Sequence, residues 1–248
     1  MRGLDQIIVI DSRSNDNTVD LARSLGAEVI QFDWNGKYPK KKQWCLEHPS
    51  VRNDWVLFID ADESPTPKLL EEIRNFVFSD ASATVAAADI RLNYYFMGRK
   101  LAHGHRVSKR TLVNRRKCKY PEIDDLDVSA MGELEGHYQP EVVGSVVSFR
   151  ERIDHLDPDP LFSYFARHNC YSDWEAYLRL HPSVRSQVRR IRSSQGRLFD
   201  AVPFKPLTFF LYSYIIRGGW RDGRTGLDYA LALAFYYWQI DIKTREQR

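Results

Sequence analysis

Two short apolar runs near the start of the chain each end at an aspartate, and they restrict the folds that the chain can adopt. Residues Ile7–Ile10 precede Asp11, and residues Trp55–Ile59 precede Asp60. Runs of β-branched and aromatic residues bounded by polar turns are typical of buried strands. In open α/β sheets, ligands bind beyond the carboxyl ends of the strands. The two runs therefore predict a sheet whose acidic strand ends face one crevice.

Helical segments separate these strands. Residues Val19–Leu25 form a helix-like run that closes at Gly26, as a helix C-terminus often does, and Lys40–Glu47 predicts a second helix. Glu28–Phe32 predicts a strand between the two helices, and a third helix is expected to begin near Pro65. Such alternation of strands and helices predicts parallel strands that are covered by helices on both faces.

The pattern changes beyond Ala83. Two further strands, Val85–Tyr95 and Val142–Phe149, are expected to flank a polar middle that contains the basic run Arg106–Lys119. Four helices are predicted after them, at Leu161–Leu180, Val184–Phe199, Leu207–Arg217 and Leu227–Ile242. We therefore predict an α/β domain over residues 1–157 and a C-terminal helical region over residues 158–248.

The last part of the chain is basic and aromatic. The net charge is +3, but residues 181–248 hold 12 Lys and Arg against 5 Asp and Glu. Basic charge mixed with aromatic rings suits either nucleic acid or the anionic face of a membrane. Because the sequence carries no recognisable nucleic-acid-binding module, we expect an anionic membrane surface, and not nucleic acid, as the partner.

Two apolar segments in this basic end, Phe209–Ile216 and Leu227–Ile240, are too short to span a bilayer. The glycine- and arginine-rich segment Arg217–Arg224 joins them. Two interpretations stay open: a helical hairpin that lies in the membrane interface, or two helices that pack on the α/β domain.

The first residues lack a signal-peptide pattern, and the 3 cysteines lack disulfide or metal-ligand spacing. The expected location is therefore the cytoplasm, at the inner face of the cell membrane.

The acids after the second apolar run have a spacing that suits a metal ion. Asp60 and Asp62 form an Asp-x-Asp motif at the predicted strand end. Carboxylate oxygens are suitable ligands for Mg²⁺ or Mn²⁺, while substrate phosphates complete the coordination shell. A diphosphate leaving group requires this neutralisation of charge. The other interpretation is that these acids only cap the helices that follow them.

The motif Asp11–Thr18, followed further along the chain by Asp54–Glu63, resembles the family 2 glycosyltransferases with a GT-A fold. The resemblance covers Leu4–Phe78 well, and the remainder is more loosely similar to the bacterial lipopolysaccharide-core and cell-envelope branch. It implies an α/β fold with an open mixed sheet, helices on both faces and a C-terminal helical extension. It also implies an inverting glycosyltransferase that moves a sugar from a nucleotide-diphosphate donor to a lipid-linked cell-envelope glycan.

The resemblance implies roles for the residues that match the motifs. Asp11 is expected to contact the nucleotide base, and Asp60 the ribose. Asp60 and Asp62 are expected to hold a divalent metal, Mg²⁺ or Mn²⁺, with the donor diphosphate. Lys42 and Gln43 occupy the place where the family has a basic residue followed by Asn, facing the nucleotide.

The second half of the chain is expected to serve the acceptor. Inverting transfer needs a general base for the acceptor hydroxyl, and a carboxylate is the usual choice. Met131–Pro140 lies where the family places its acidic catalytic motif, which implies Glu135 as the base with Glu133 in reserve. His137 is interpreted as a residue that orients the base or binds acceptor or phosphate, or as a surface histidine. His155 resembles a later histidine near the donor diphosphate, and is either a third metal contact or a capped strand end.

Two charged clusters have a simpler interpretation. The lysines at residues 40–42 are either nucleotide contacts or a solvated cluster at a helix start. Asp124, Asp125 and Asp127 are interpreted as a solvated loop.

The family normally opens with one more strand, and this chain begins just before what resembles the family's second strand, so we expect that first strand to be absent. Two other functions stay open. One is a catalytically inactive, membrane-associated relative of these transferases. The other is a sugar-phosphate nucleotidyltransferase, although such enzymes normally carry a Gly-rich phosphate loop that is not visible here.

Overall fold

A computed structural model describes residues 4–104, 106–126, 128, 132–133, 135, 139–191 and 202–247. Its first unit is a strand, a helix and a second strand: β1 (Ile8–Asp11), α1 (Thr18–Ser24) and β2 (Glu28–Gln31). β1 and β2 are parallel, and both begin and end where the apolar runs predict, to within one residue. Asp11 is the last residue of β1 and therefore lies at the carboxyl edge of this small sheet.

The remaining strands and helices follow in chain order. The strands are β3 (Trp55–Leu57), β4 (Glu63–Pro65), β5 (Val85–Phe96), β6 (Arg99–Leu101), β7 (Ser108–Asn114), β8 (Cys118–Lys119), β9 (Glu141–Val142) and β10 (Ser145–His155). The helices are α2 (Lys41–Glu47), α3 (Pro67–Val77), α4 (Leu161–Leu180), α5 (Pro182–Ile191), α6 (Lys205–Phe210) and α7 (Gly223–Glu246). A π-helical stretch, Leu211–Ile216, continues α6, and a 3₁₀ turn, Gly219–Asp222, precedes α7. The helix predicted at Val184–Phe199 is α5 as far as Ile191, and the rest of that prediction lies outside the described residues.

Among the described residues, six strands form the main sheet in the order β3, β7, β5, β10, β4, with β6 paired to β5. β5 and β10 are parallel, whereas the other neighbours in this sheet are antiparallel. The predicted open mixed α/β sheet is therefore confirmed. The parallel strands predicted from the alternation of strands and helices occur only in part, because parallel pairing is limited to β1 with β2 and β5 with β10 within the described chain.

The sequence suggested that the basic run at residues 106–119 is a polar connection. In the structure this run contains a strand, β7. This strand lies between β3 and β5, and Leu112 and Val113 are buried. Its charged residues are paired with acids: Arg110 lies 2.9 Å from Asp89, and Lys109 reaches the acidic end of β3. These ion pairs explain how a basic segment can occupy an inner position of the sheet.

Local sequence accounts for α3 and for its position. The Thr66 side chain accepts a hydrogen bond from the Leu69 backbone N–H at 3.2 Å, and Pro67 occupies the first helical turn, where a missing N–H costs nothing. The apolar side of the helix packs on the main sheet. The core there contains Leu69, Ile73, Ile90, Leu92, Leu112 and Ile153.

The C-terminal helices pack on the sheet as well as on each other. α7 lies along α4 and α6, and Tyr229 of α7 and Tyr164 of α4 share a buried cluster with Phe96 and Leu101 of β5 and β6. The interpretation that these helices pack on the α/β domain therefore applies to one of their faces. No helix within the described part of the chain is long and apolar enough to cross a membrane.

The turn before α7 is closely packed. The backbone N–H groups of Ala102 and His103 donate to the Asp222 carboxylate at 3.3 and 2.8 Å. A Cβ atom placed on Gly226 would lie 2.0 Å from the Gly219 carbonyl oxygen, so only glycine fits there. These contacts hold the glycine- and arginine-rich turn against the loop that follows β6.

Candidate functional site

The turn after β3 places three acids, Asp60, Asp62 and Glu63, at one edge of the main sheet, which we call the acidic edge. The Asp60 backbone N–H donates to Glu63 Oε2 at 3.1 Å, and the Glu63 N–H donates to the Asp60 carbonyl at 2.9 Å. Glu63 begins β4, and its side chain is only 1% exposed, whereas that of Asp60 is 48% exposed. The turn therefore presents Asp60 to solvent and directs Glu63 inward.

Lys109 of β7 is the cation of this acidic edge, and the sequence did not identify it as a site residue. Its Nζ donates to Asp60 Oδ2 at 2.7 Å and to Glu63 Oε1 at 2.5 Å. Burial disfavours the charged ammonium, but the two carboxylates outweigh burial and raise the pKa of Lys109 above its usual range. For Asp60, burial favours the neutral acid, yet the charges of Lys109 and Lys42 hold its pKa below the usual value.

His155 ends β10 beside the same acids. It pairs with Glu63 of β4 on one side and with Tyr94 of β5 on the other. Its Nδ1 lies 3.5 Å from Asp62 Oδ1 and 3.9 Å from Glu63 Oε1, and this buried atom has no hydrogen-bond partner among the described residues. The structure thus brings together Asp60, Asp62 and His155, the three residues predicted as metal contacts.

Their arrangement does not form a complete metal cage. Within the described residues, no group of three or more His, Cys, Asp or Glu side chains is arranged to hold an ion. Asp62 and the unpartnered Nδ1 of His155 nevertheless fit a divalent cation that takes its other ligands from phosphate oxygens and water, as Mg²⁺ commonly does. Asp60 differs from them, because one of its oxygens already accepts from Lys109.

Asp11 lies at the end of β1, as the apolar run predicts. Its carboxylate is buried and accepts the Ser14 backbone N–H at 3.1 and 3.3 Å. Hydrogen bonding from Ser14 lowers the pKa of Asp11, so the group is held as a carboxylate. An acid oriented in this way can accept hydrogen bonds from a ligand beyond the strand end.

Glu133 joins this strand end to the start of α2. Ser12 Oγ donates to the Glu133 carboxylate at 3.0 and 3.2 Å, and Lys41 Nζ donates to it at 2.5 Å. The Lys41 backbone N–H also donates to the Glu133 carbonyl at 2.9 Å. With these partners, the Glu133 side chain is engaged within the protein.

Glu135 lies beneath the start of α2. It is buried, and one carboxylate oxygen accepts the Gln43 backbone N–H at 2.9 Å, while the other, Oε2, has no partner among the described residues. Burial raises the pKa of Glu135, and the nearby Lys42 charge and the Gln43 bond oppose this only in part. Glu135 lines a cavity of about 100 Å³ together with Tyr38, Gln43 and Tyr120. His137 lies outside the described residues.

The two residues predicted to face the nucleotide from α2 differ in their surroundings. The charge of Lys42 favours the ionised form of both Asp60 and Glu135: it helps to lower the pKa of Asp60 and opposes the rise in the pKa of Glu135. Gln43 is buried, and its amide donates to Glu47 at 2.6 Å and accepts the Tyr120 N–H at 2.7 Å. The charge of Lys42 therefore acts on acids of both predicted half-sites, while Gln43 is bonded within the protein.

One residue of the predicted solvated loop is in fact buried. Asp125 is 0% exposed and accepts from Lys40 Nζ at 2.7 Å, from the Tyr38 hydroxyl at 2.9 Å and from Trp174 Nε1 at 3.1 Å. The interpretation of Asp125 as a solvated acid is wrong, because three donors from distant segments surround it. Asp124 is exposed, and Asp127 lies outside the described residues. This cluster ties α4 to the segment that leads into α2.

The charges of the acidic edge also act on a side chain of α4. Burial is the main cause of the raised pKa of Tyr171 in α4, and the negative charges of Asp60 and Asp62 raise this pKa further. No short-range pattern in the sequence connects Tyr171 with these acids.

Comparison with known proteins identifies relatives of this chain. The model of the family described as Glycosyl transferase family 2 matches residues 2–132, more than half of the chain. The chain is 37% identical over 97 residues to the uncharacterized glycosyltransferase RP128 of Rickettsia prowazekii, which covers 38% of this chain and 31% of that protein. A Rickettsia bellii glycosyltransferase is 39% identical over 88 residues, 36% of this chain and 29% of that protein. The match thus spans about a third of the length of these Rickettsia relatives.

A more distant relative is similar along most of the chain. The lipopolysaccharide core biosynthesis glycosyltransferase LpsC of Rhizobium meliloti is 26% identical over 238 residues, 93% of this chain and 79% of that protein. This similarity includes the C-terminal helices as well as the α/β domain.

Proposed function

The chain belongs to glycosyl transferase family 2, and from this premise we propose that it transfers a sugar, with inversion, from a nucleotide-diphosphate donor to a lipid-linked cell-envelope glycan. The observation that carries this proposal is the pair of acidic strand ends, Asp11 after β1 and Asp60 with Asp62 after β3, with Lys42 of α2 near the second. This placement suits a donor whose nucleoside lies at one strand end and whose diphosphate lies at the other.

We assign the donor contacts accordingly. Asp11 contacts the base, Asp60 contacts the ribose, and Lys42 faces the diphosphate. Asp62 and His155 are the residues that would hold Mg²⁺ or Mn²⁺. When bound, such an ion neutralises negative charge that develops on the leaving diphosphate.

We assign the general base to Glu135. Its raised pKa makes its carboxylate a stronger proton acceptor than an ordinary glutamate, and its Oε2 is not used by the described residues. In the reaction, this group takes the proton of the acceptor hydroxyl while the hydroxyl oxygen attacks the anomeric carbon from the side opposite the diphosphate. Glu133 suits the role less well, because Ser12 and Lys41 already occupy its oxygens.

The acceptor and the location are proposed from the C-terminal region. Several large apolar side chains there are exposed, among them Phe204, Leu207, Ile215, Ile216 and Trp220. Arg217, Arg221 and Arg224 accompany them, and basic residues near an anionic membrane each contribute about 1 kcal/mol. We infer peripheral attachment to the inner face of the cell membrane, where a lipid-linked glycan is accessible. The name of LpsC agrees with an envelope acceptor.

The proposal is tested by incubating the protein with nucleotide-diphospho-sugars and Mn²⁺. Transfer predicts release of the nucleoside diphosphate, by slow hydrolysis without acceptor and faster with one. Conversion of the donor and labelled pyrophosphate into labelled nucleoside triphosphate and sugar 1-phosphate would instead indicate a nucleotidyltransferase. Absence of donor binding would indicate a catalytically inactive relative.

A further inference from the structure

Lys109 reaches the acidic edge because of the direction of its strand. β7 is antiparallel to β3, and Leu57, the last residue of β3, pairs with Leu112, so the first residues of β7 lie beside the turn that follows β3. The register pairs Lys109 with Ile90, on the sheet face where Glu63 and His155 also lie. The ammonium group is thus part of the edge where the proposed donor diphosphate lies.

The two acids that hold Lys109 are not equivalent. Glu63 is almost completely buried and is fixed by the Asp60 N–H, whereas the Asp60 side chain is about half exposed. The Lys109 side chain is 29% exposed, so part of it is accessible to a ligand. If Asp60 turns toward a ribose, Glu63 still anchors the Lys109 ammonium. The N–H of Lys109 that donated to Asp60 then becomes available to a phosphate oxygen.

We propose that Lys109 is a donor-binding residue that contacts the diphosphate. This inference rests on the proposed function. The edge carries three carboxylates, Asp60, Asp62 and Glu63, against the ammonium groups of Lys109 and Lys42. A diphosphate adds further negative charge, so a fixed cation is needed there besides any metal ion. Ammonium groups bind phosphate oxygens through charge-assisted hydrogen bonds.

The test uses inorganic pyrophosphate as the probe, because it requires no knowledge of the base or sugar. Removing Lys109 alone would leave Glu63 buried without its counter-ion, so the informative variant is the double substitution Lys109→Met with Glu63→Gln. Glu63→Gln alone is the matched control, and Lys68→Met removes an exposed lysine from α3. Thermal unfolding of each variant checks the fold, and calorimetry measures pyrophosphate affinity with and without Mn²⁺.

We expect the double variant to bind pyrophosphate about tenfold or more weakly, with or without Mn²⁺, which matches the loss of one hydrogen bond to a charged group. Lys68→Met is expected to bind like the unmodified chain, and Glu63→Gln, whose amide oxygen can still accept from Lys109, is expected to lose clearly less affinity than the double variant. Unchanged affinity in the double variant overturns the proposal. An equal loss in Glu63→Gln alone also overturns it, because the pair would then act only by shaping the turn. If the unmodified chain binds neither pyrophosphate nor nucleoside diphosphates, the proposed function fails instead.

Discussion

Lys40 and Asp125 form an ion pair of 2.7 Å although 85 positions separate them, and their side chains are 1% and 0% exposed. Tyr38 and Trp174 donate to the same carboxylate. The pair therefore joins the start of α2, which carries Lys41 and Lys42, to helix α4. We regard it as the contact that places α2 relative to the C-terminal helices.

Replacing one partner of this pair should be costly. Asp125→Ala leaves the Lys40 ammonium without its buried carboxylate and is expected to lower the free energy of unfolding by about 3–5 kcal/mol. Urea unfolding measures the change. Asp124→Ala, at the exposed neighbour, is the matched control and should change stability by less than about 0.5 kcal/mol. Equal stability of the two variants would show that the pair is not needed.

The base assignment predicts a loss of turnover without a loss of donor affinity. Glu135→Gln keeps the shape of the side chain and removes its basicity, so turnover should fall about 10²–10⁴-fold while donor affinity is retained. Because the base must be ionised, turnover of the unmodified chain should rise with pH through the raised pKa of Glu135. Steady-state kinetics across a pH series checks both points. Normal turnover in Glu135→Gln, or an equal loss only in Glu133→Gln, moves the role to another residue.

The metal assignment concerns Asp62. Asp62→Ala should weaken Mn²⁺-dependent binding of a nucleotide-sugar, because it removes the carboxylate that lies beside His155 Nδ1. We expect about tenfold or more in affinity, measured by calorimetry with and without Mn²⁺. Asp80→Ala, in the exposed turn after α3, is the control. Identical Mn²⁺ dependence in both variants argues against the assignment.

The close packing of the turn before α7 can be tested at Gly226. In an ordinary helix position, Gly→Ala stabilises a protein by about 1 kcal/mol. Here the new Cβ would meet the Gly219 carbonyl at 2.0 Å, so Gly226→Ala should instead destabilise, by about 1–3 kcal/mol or more. Thermal or urea unfolding gives the sign. Leu231→Ala, at an exposed position of the same helix, should have a small effect. A stabilising Gly226→Ala would refute the close approach.

Membrane attachment predicts dependence on lipid charge. The chain should co-sediment with anionic liposomes and not with neutral ones, and high salt should weaken the binding. Replacing Arg217, Arg221 and Arg224 together with Gln should reduce it. The control replaces Arg185, Arg189 and Arg190 of α5 with Gln. It removes the same amount of charge from a helix other than the one that carries the exposed apolar residues, and it should reduce liposome binding less. Equal binding to both kinds of vesicle, or binding to neither, contradicts the proposed mechanism.

Several site residues were identifiable from sequence because their position depends on local rules. An aspartate after a β-branched run lies at a strand end wherever that strand is in the sheet, which holds for Asp11. The predicted metal residues also come together, because β4 and β10 are neighbours and His155 pairs with Glu63. The roles of these residues stay predictions.

Other residues were interpreted wrongly or missed because their environment depends on distant partners. Asp125 has the sequence surroundings of a loop acid, yet Lys40 and Trp174 enclose it. Lys109 belongs to a basic run that gives no sign of an inner strand, and only the pairing of β7 with β3 and β5 reveals its position. A charged side chain in the interior is stable only with its counter-ion, and the counter-ion is not encoded nearby.

The sequence by itself determined the β1–α1–β2 unit, the capped start of α3 and the acidic strand ends, since periodicity, capping and turn chemistry act over a few residues. The tertiary structure alone decided which strands are antiparallel, which charges are buried and which of the acids face a lysine. The physical reason is that pairing free energies depend on residues brought together by the fold. Thus Glu63 and Lys109, 46 positions apart, meet at 2.5 Å only because β7 begins at the acidic edge and runs antiparallel to β3 from there.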